Sequence, residues 1–211
     1  MVKKKQQMKF KNSIQIALLL VISVTMLIAC SSDEKAPIVA KNETVDKKTA
    51  NPFAYYKNIE IKPGLHFEVV SWGKGVDTLG GYLLLMSDSV KNNYKSIAIE
   101  RKGVITDSWN MDLDNDGNPE IYVQYVVRKN VNDVSVYEFA NNSFDKISFP
   151  GLNSNLKKGY QGDDKFFVKN GDLFRAVPIV TTDSGKTSTL VKTLQYNLRG
   201  NSFSTSEVKP Q

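Results

Sequence analysis

The chain has 211 residues, a formal net charge of +6 and one cysteine, Cys30. Five lysines and no acidic residues precede Cys30, so the remaining chain has 28 less five, or 23, basic residues against 22 acidic ones, a net charge of +1. The charge therefore gives no reason to expect nucleic-acid binding. A single cysteine excludes an intramolecular disulfide and a cysteine metal cluster. The 182 residues that remain after the first 29 of 211 are enough for one domain with an apolar core.

The first 29 residues predict an export signal. A lysine-rich start precedes the almost wholly apolar stretch Ile14–Ala29, whose 16 residues would span about 24 Å as a helix. A stable transmembrane helix needs about 20 residues, so a removable signal fits this stretch better than a permanent span. The stretch ends in Leu27-Ile28-Ala29-Cys30, which resembles the bacterial lipobox, where a small residue precedes a cysteine.

The lipobox resemblance implies that Met1–Ala29 is removed and that Cys30 carries lipid, with acyl chains such as palmitate contributing about 0.8 kcal/mol per buried CH₂. The alternatives are an uncleaved anchor or a cleaved signal with an incidental cysteine. Residues 30–52 are polar and aperiodic, which predicts a flexible tether. Ser31 resembles an outer-membrane sorting signal, and Asp33-Glu34 resembles an acidic signal for surface export. We expect a lipoprotein of the cell envelope, anchored at the outer membrane on its periplasmic or external face.

Residues 53–208 alternate between short runs of β-branched and aromatic residues and turn signals such as Asn141-Asn142 and Asn170-Gly171. The predicted strands are Leu65–Trp72, Gly81–Met86, Ser96–Glu100, Val104–Met111, Glu120–Arg128, Val134–Phe139, Phe144–Phe149, Lys165–Lys169, Leu173–Val180, Leu190–Leu198 and Ser202–Val208. No long apolar pattern of helical period interrupts them. We therefore expect a single all-β domain, either an antiparallel β-sandwich or a barrel-like fold.

The most conspicuous motif is the acidic sequence DLDNDGNPE, which begins at Asp112. Oxygen-bearing side chains at alternate positions, with Gly117 sixth, match the first half of an EF-hand-like Ca²⁺ loop. Val123 stands at the twelfth position, where an EF-hand has a glutamate, and the ninth residue could replace it. The candidate Ca²⁺ ligands are Asp112, Asp114, Asp116, Asn118 and Glu120. The alternative is a turn without metal, in which the aspartates cap backbone N–H groups.

The other chemistry-bearing residues do not predict an enzyme. His66 is the sole histidine, lies in a predicted strand, and has no Gly-x-Ser-x-Gly motif to accompany it in a Ser-His-Asp triad. Asp163-Asp164 could in principle serve acid–base hydrolysis, but such pairs are usually solvated turns. Aromatic residues that could line a glycan-binding surface are Tyr55, Tyr56, Trp72, Trp109 and Tyr160. In an all-β chain such residues are more often packed in the core or at its rim.

Several short motifs follow one another between Gly64 and Tyr196, about two thirds of the chain. They are Phe67-Glu68-Val69 with Ser71 and Gly73-Lys74-Gly75, Asp112-Leu113 with Asp116-Gly117 and Pro119–Val123, Phe149-Pro150, Lys158-Gly159-Tyr160 with Gly162, Asp164 and Phe166, and Pro178-Ile179 with Gln195-Tyr196. This ordered set resembles the bacterial periplasmic inhibitors of invertebrate-type (I-type) lysozyme. The resemblance implies an all-β domain without catalytic residues, which inserts a loop into the active-site cleft of a host lysozyme. The family pattern does not require an aspartate at position 114, so it does not itself imply a metal site.

The segment Val127–Asp133 (VRKNVND) departs from that family. There the inhibitory loop carries Ser-Gly-x-Tyr, whose hydroxyls engage the enzyme, and this chain has neither Ser-Gly nor Tyr at that place. The fold could be shared while the lysozyme contact is lost or redesigned, with Arg128, Lys129 and Asn130 pairing with cleft carboxylates. The alternative for these residues is a solvated hairpin end. A different function class is a Ca²⁺-dependent envelope or glycan-binding module, and a homodimer is another candidate partnership.

Overall fold

The structure, a computed structural model, describes residues 52–73 and 80–208. The predicted signal segment, Cys30 and all of the predicted tether except Pro52 lie outside the described residues. The described residues fall within one compact unit, Thr49–Gln211. Among them, no helix is both long enough and apolar enough to cross a membrane.

The described part of the chain forms twelve strands and one short helix, α1 (Ser154–Lys157), so the all-β prediction is confirmed. The strands are β1 (Tyr55–Lys62), β2 (Leu65–Ser71), β3 (Gly81–Asp88), β4 (Asn93–Glu100), β5 (Val104–Met111), β6 (Glu120–Arg128), β7 (Val131–Ala140), β8 (Ser143–Ile147), β9 (Lys165–Lys169), β10 (Asp172–Asp183), β11 (Lys186–Arg199) and β12 (Ser202–Val208). Four predicted strands, those now labelled β5, β6, β9 and β12, have the bounds that the sequence predicts.

The strands form three open, antiparallel sheets of four strands each, and every sheet is made of strands that are consecutive in the chain. The first sheet has the order β1-β2-β3-β4, the second β5-β6-β7-β8 and the third β12-β11-β10-β9. Of the two predicted architectures, the sandwich-like one is observed.

The second sheet is covered on both faces, and β6 explains why. Ile121 and Val123 lie in a core shared with the first sheet, whereas Tyr122 between them lies in a core shared with the third sheet. All three side chains are fully buried. Because successive strand residues point to opposite faces, a strand buried on both sides needs apolar residues at nearly every position. The sequence EIYVQYVV has this character.

Two differences from the predicted strands have a common cause. β1 was not predicted: its exposed face carries Asn58, Glu60 and Lys62, and Ile59 is its only buried residue. β10 and β11 are longer than predicted, since their paired ends around Asp183 and Lys186 are polar and exposed.

The predicted Asn170-Gly171 hairpin is confirmed: φ is 54° and 86° at the two residues, as a type I′ turn requires.

Candidate functional site

The loop between β5 and β6, here called the acidic loop (Asp112–Pro119), brings three carboxylates together with that of Glu120, the first residue of β6. Asp112, Asp114, Asp116 and Glu120 each offer one oxygen, and these atoms lie within 4.8 Å of one another. Oxygens bound to one Ca²⁺ at roughly 2.3–2.6 Å are at most about 5 Å apart. Gly117 has a φ of 88°, which a residue with a side chain rarely adopts, so it permits the sharp bend that the sequence predicts.

Two of the aspartates cap the loop backbone. The Asp112 carboxylate accepts hydrogen bonds from the N–H groups of Asp116, at 3.0 Å, and Gly117, at 3.1 Å. The Asp116 carboxylate accepts from the Asn118 N–H at 2.8 Å and from the Asn118 side-chain amide at 2.9 Å. The turn interpretation therefore describes these two aspartates. Asn118 directs its amide nitrogen towards Asp116, so it supports that carboxylate.

Capping does not explain the remaining two carboxylates. Glu120 is completely buried, and its Oε2 accepts a hydrogen bond from the Leu113 N–H at 2.8 Å. Its Oε1, like Oδ1 of Asp114, is buried with no hydrogen-bond partner among the described residues. Burial most of all, followed by the charges of Asp114, Asp112 and Asp116, raises the pKa of Glu120 to about 8, although the Leu113 N–H opposes the rise. A buried charge without a counter-charge is costly.

A fifth acidic side chain, Glu138, adds to this charge. The register of β6 and β7 places Glu138 directly opposite Glu120, and it is only 6% exposed. Like charges that face each other across two strands destabilise a sheet. Burial, and then the charges of Asp116 and Asp114, raise the pKa of Glu138 despite a hydrogen bond from Asn201. The sequence interpretation missed Glu138, because only the strand register shows that it faces the acidic loop.

A second candidate site lies at the turn between β6 and β7, here called the tip (Arg128–Asn130). All three residues are exposed. Arg128 pairs with Val131, so Lys129 and Asn130 form a two-residue turn, and Asn130 has a φ of 59°. Asparagine tolerates this left-handed conformation better than most residues do. The segment is therefore a tight hairpin end with two adjacent cationic side chains.

A buried ion pair fixes the base of this hairpin. Arg175 Nε donates to Asp164 Oδ2 at 2.8 Å, and the two side chains are 4% and 0% exposed. The same two residues hold Asn132, at the start of β7: its N–H donates to Asp164 Oδ1 at 3.2 Å, and its carbonyl accepts from Arg175 at 3.0 Å. Tyr160 donates a further hydrogen bond to Asp164. The expectation that Asp163-Asp164 is a solvated turn is wrong for Asp164, because this partner network buries it.

The loop before β9 also touches the tip directly. The Asp163 N–H donates to the Asn130 carbonyl at 2.6 Å. A cleft of about 320 Å³ lies beside the hairpin and is lined in part by Arg128, Lys157 and Tyr160. The sequence interpretation missed Arg175, since the partners that bury it come from distant parts of the chain.

The remaining candidates do not assemble into a third site. The Nδ1 of His66 lies 3.2 Å from the Asn58 side-chain oxygen, and its Nε2 lies 4.0 Å from Glu60, which are contacts between β2 and β1. Tyr55 packs on the core between the first and second sheets, whereas Trp109 packs on the opposite face of the second sheet. The aromatic residues that could bind a glycan therefore do not form one continuous platform.

Comparison of this chain with protein-family models, with curated proteins and with solved structures finds no match. The resemblance to lysozyme inhibitors thus stays a prediction from the residues. The two sites themselves are the basis for inferring function. They lie at opposite ends of β6, Glu120 at its start and Arg128 at its end, roughly 27 Å apart at about 3.4 Å per residue.

Proposed function

We propose that this protein is a lipid-anchored, non-enzymatic protein of the cell envelope that inhibits an I-type lysozyme by inserting the tip into the enzyme's cleft. The observation that carries the proposal is the tip itself. An exposed turn with two cationic side chains stands on a hairpin whose base is held by the buried pair of Asp164 and Arg175. The motifs that resemble the inhibitor family surround this hairpin in the sequence.

The fixed base favours insertion into a cleft. A loop that is ordered before binding loses less conformational freedom when it docks, which leaves more of the contact energy for affinity. Asn130 is held by the Asp163 N–H, and Asn132 is held by Asp164 and Arg175. Through Asn130 and Asn132 the hairpin is thus attached to the loop before β9 and to β10.

The charge of the tip suits a glycosidase cleft. Glycoside hydrolases generally carry a pair of carboxyl groups that flank the scissile bond. Arg128 can bind a carboxylate with two hydrogen bonds, and Lys129 adds a second positive charge. Asn130 carries an amide that can donate to the same carboxylates. These groups would replace the hydroxyls that the Ser-Gly-x-Tyr element supplies in the family.

The anchor places the inhibitor where an attacking lysozyme arrives. Lipid on Cys30 would hold the chain at the membrane, and the 23 residues from Cys30 to Pro52 would act as a tether. A flexible chain of this length has a root-mean-square reach of about 25 Å. The domain would remain near the peptidoglycan that it protects.

The test is an assay of I-type lysozyme on bacterial cell walls with increasing amounts of the purified protein. We expect inhibition at micromolar protein or below. Arg128→Glu and Lys129→Glu should each weaken inhibition at least tenfold, because each reverses a charge that faces the cleft carboxylates. Lys95→Glu, a reversal at an exposed position on β4, serves as the matched control and should inhibit like the wild type. No inhibition at micromolar wild-type protein would refute the proposal.

A further inference from the structure

We propose that the acidic loop and the start of β6 form a Ca²⁺ site, with carboxylate oxygens of Asp112, Asp114, Asp116 and Glu120 as ligands. The site is separate from the tip and does not depend on lysozyme inhibition. Four carboxylate oxygens within 4.8 Å of one another are compatible with one coordination sphere. Such a cluster alone is also compatible with a solvated turn. The choice between the two depends on whether each buried oxygen has a hydrogen-bond partner.

Glu120 supplies the independent observation. Its side chain is completely buried, one of its two carboxylate oxygens belongs to the cluster, and its Oε1 has no hydrogen-bond partner among the described residues. Buried polar atoms in folded proteins nearly always have a partner, so one that lacks a partner needs an explanation. The buried Oδ1 of Asp114 is in the same state. A cation bound by the Glu120 and Asp114 carboxylates would account for both.

The charges near the acidic loop also favour a bound cation. Each ion pair within 4.0 Å that the described residues form lies elsewhere: Lys57 with Asp107, His66 with Glu60, Arg175 with Asp164, and Lys192 with Glu207. The acidic loop is thus not neutralised by lysine or arginine in the described ranges. Glu138 adds a buried acidic group directly opposite Glu120. A divalent cation would relieve the repulsion among these groups.

The donor set selects the metal. All four side chains offer hard oxygen ligands, and neither histidine nor cysteine belongs to the cluster, which argues against zinc. Mg²⁺ demands near-ideal octahedral geometry and keeps several waters. Ca²⁺ accepts six to eight oxygens in a flexible arrangement, which an irregular loop can supply together with backbone carbonyls. Ca²⁺ is therefore the cation that this loop suits best.

The consequence of binding would be a more stable second sheet. Glu120 is the first residue of β6, which is buried on both faces, and the loop connects β6 to β5. Trp109 of β5 stacks on Tyr122 of β6 with ring centroids 5.4 Å apart. Tyr122 follows Glu120 by two residues and therefore lies on the same face of β6, which places this aromatic pair beside the site. Trp109 should therefore report on the bound ion.

The experiment uses the protein purified in detergent and stripped of metal with a chelator. For a dissociation constant of about 10⁻⁴ M, as in extracellular Ca²⁺ modules, 5 mM CaCl₂ should raise the melting temperature by roughly 5–9 °C. Tryptophan fluorescence should change with Ca²⁺ along a saturable curve. Asp183→Asn, which removes a carboxylate at the turn between β10 and β11, is the matched control and should keep the full shift.

Two variants separate a metal site from a merely structural cluster. Glu120→Gln should abolish the Ca²⁺-induced shift, yet melt in chelator at or above the wild-type temperature, because the acidic group buried at position 120 is gone. Asp114→Asn should lose the shift as well and serves if Glu120→Gln fails to fold. The charge-reversed tip variant Lys129→Glu should keep the Ca²⁺ shift while losing inhibition, so the two proposals can fail independently.

Three results would overturn the Ca²⁺ site. One is a wild-type melting curve and fluorescence that do not respond to Ca²⁺. Another is an equal response to 5 mM MgCl₂, which would show general screening of negative charge. The third is an equal loss of the shift in Asp183→Asn and Glu120→Gln.

Discussion

The Asp164 carboxylate and the Arg175 guanidinium form an ion pair at 2.8 Å, and both side chains are buried. Arg175 lies in β10 of the third sheet, whereas Asn132, which both partners hold, lies in β7 of the second. The pair therefore connects the core of one sheet to the hairpin of another. Its position beneath the tip joins the stability of the fold to the proposed function.

Removing one partner of this pair should destabilise the protein strongly. Arg175→Met leaves the Asp164 carboxylate buried without its cation, and we expect a loss of about 3–5 kcal/mol in the free energy of unfolding. The double variant Asp164→Asn/Arg175→Met should be more stable than Arg175→Met alone, because no uncompensated charge remains. Urea unfolding of the three proteins measures both effects. A loss below about 1 kcal/mol in the single variant would contradict the buried-pair interpretation.

Gly162 tests the contact between the tip and the loop before β9. Its φ is 105°, and a Cβ built there would lie 2.6 Å from the Asn130 carbonyl oxygen. Gly162→Ala should therefore cost about 3 kcal/mol and also weaken lysozyme inhibition, because the hairpin must move. Gly185→Ala is the matched control, with a φ of 81° but open space around the added carbon. It should cost about 1 kcal/mol and leave inhibition unchanged. Equal effects of the two substitutions would show that the close approach is unimportant.

Tyr125, which is buried between the first and second sheets, should make the protein less stable at alkaline pH. Burial most of all, and also the nearby Asp133 carboxylate, raise the pKa of Tyr125 to about 12, although its hydrogen bond with Ser135 opposes the rise. A phenol in the unfolded chain ionises near pH 10. Between pH 10 and 12 the unfolded state therefore loses this proton more readily than the folded state does, and ionisation favours unfolding.

The measurement is the urea midpoint between pH 9 and 12 for the wild type and for Tyr125→Phe. The wild-type midpoint should fall more steeply across this range than that of the variant. Parallel curves would mean that Tyr125 ionises alike in the folded and unfolded states.

The anchor prediction rests on Cys30, which lies outside the described residues. Cys30→Ser removes the thiol that would be acylated, so the variant should leave the detergent phase in a Triton X-114 partition, whereas the wild type should remain there. Mass spectrometry of the wild-type product should show a chain that begins at a modified Cys30. A chain that still carries Met1, or an unmodified sulfur, would contradict a lipoprotein.

The sequence predicted the fold well wherever the information is local. β6 is recognisable because its nearly continuous apolar run suits a strand that is buried on both faces. Asn170-Gly171 marks the hairpin between β9 and β10 through backbone conformation alone. β1 escaped prediction because an edge strand with one exposed face resembles a polar loop. Composition and the spacing of apolar residues are therefore sufficient to predict central strands but not edge strands.

The sites were less predictable, because their chemistry depends on distant parts of the chain. The acidic loop was visible as a motif, but whether its carboxylates are capped or unpartnered depends on how deeply Glu120 is buried. Glu138 joins them only through strand register, and Asp164 is buried against Arg175 of β10 and Asn132 of β7. These relationships follow from the packing of three sheets, which the sequence pattern does not specify.

The most direct test of the central claim is competition for the lysozyme cleft. I-type lysozyme is immobilised and allowed to bind the protein, and a chitin oligosaccharide that occupies the substrate cleft is then added. Insertion of the tip predicts that the oligosaccharide displaces the wild-type protein, and that Lys129→Glu binds at least tenfold more weakly from the start. Simultaneous binding of oligosaccharide and protein, or no binding of the wild type at micromolar concentration, would contradict it.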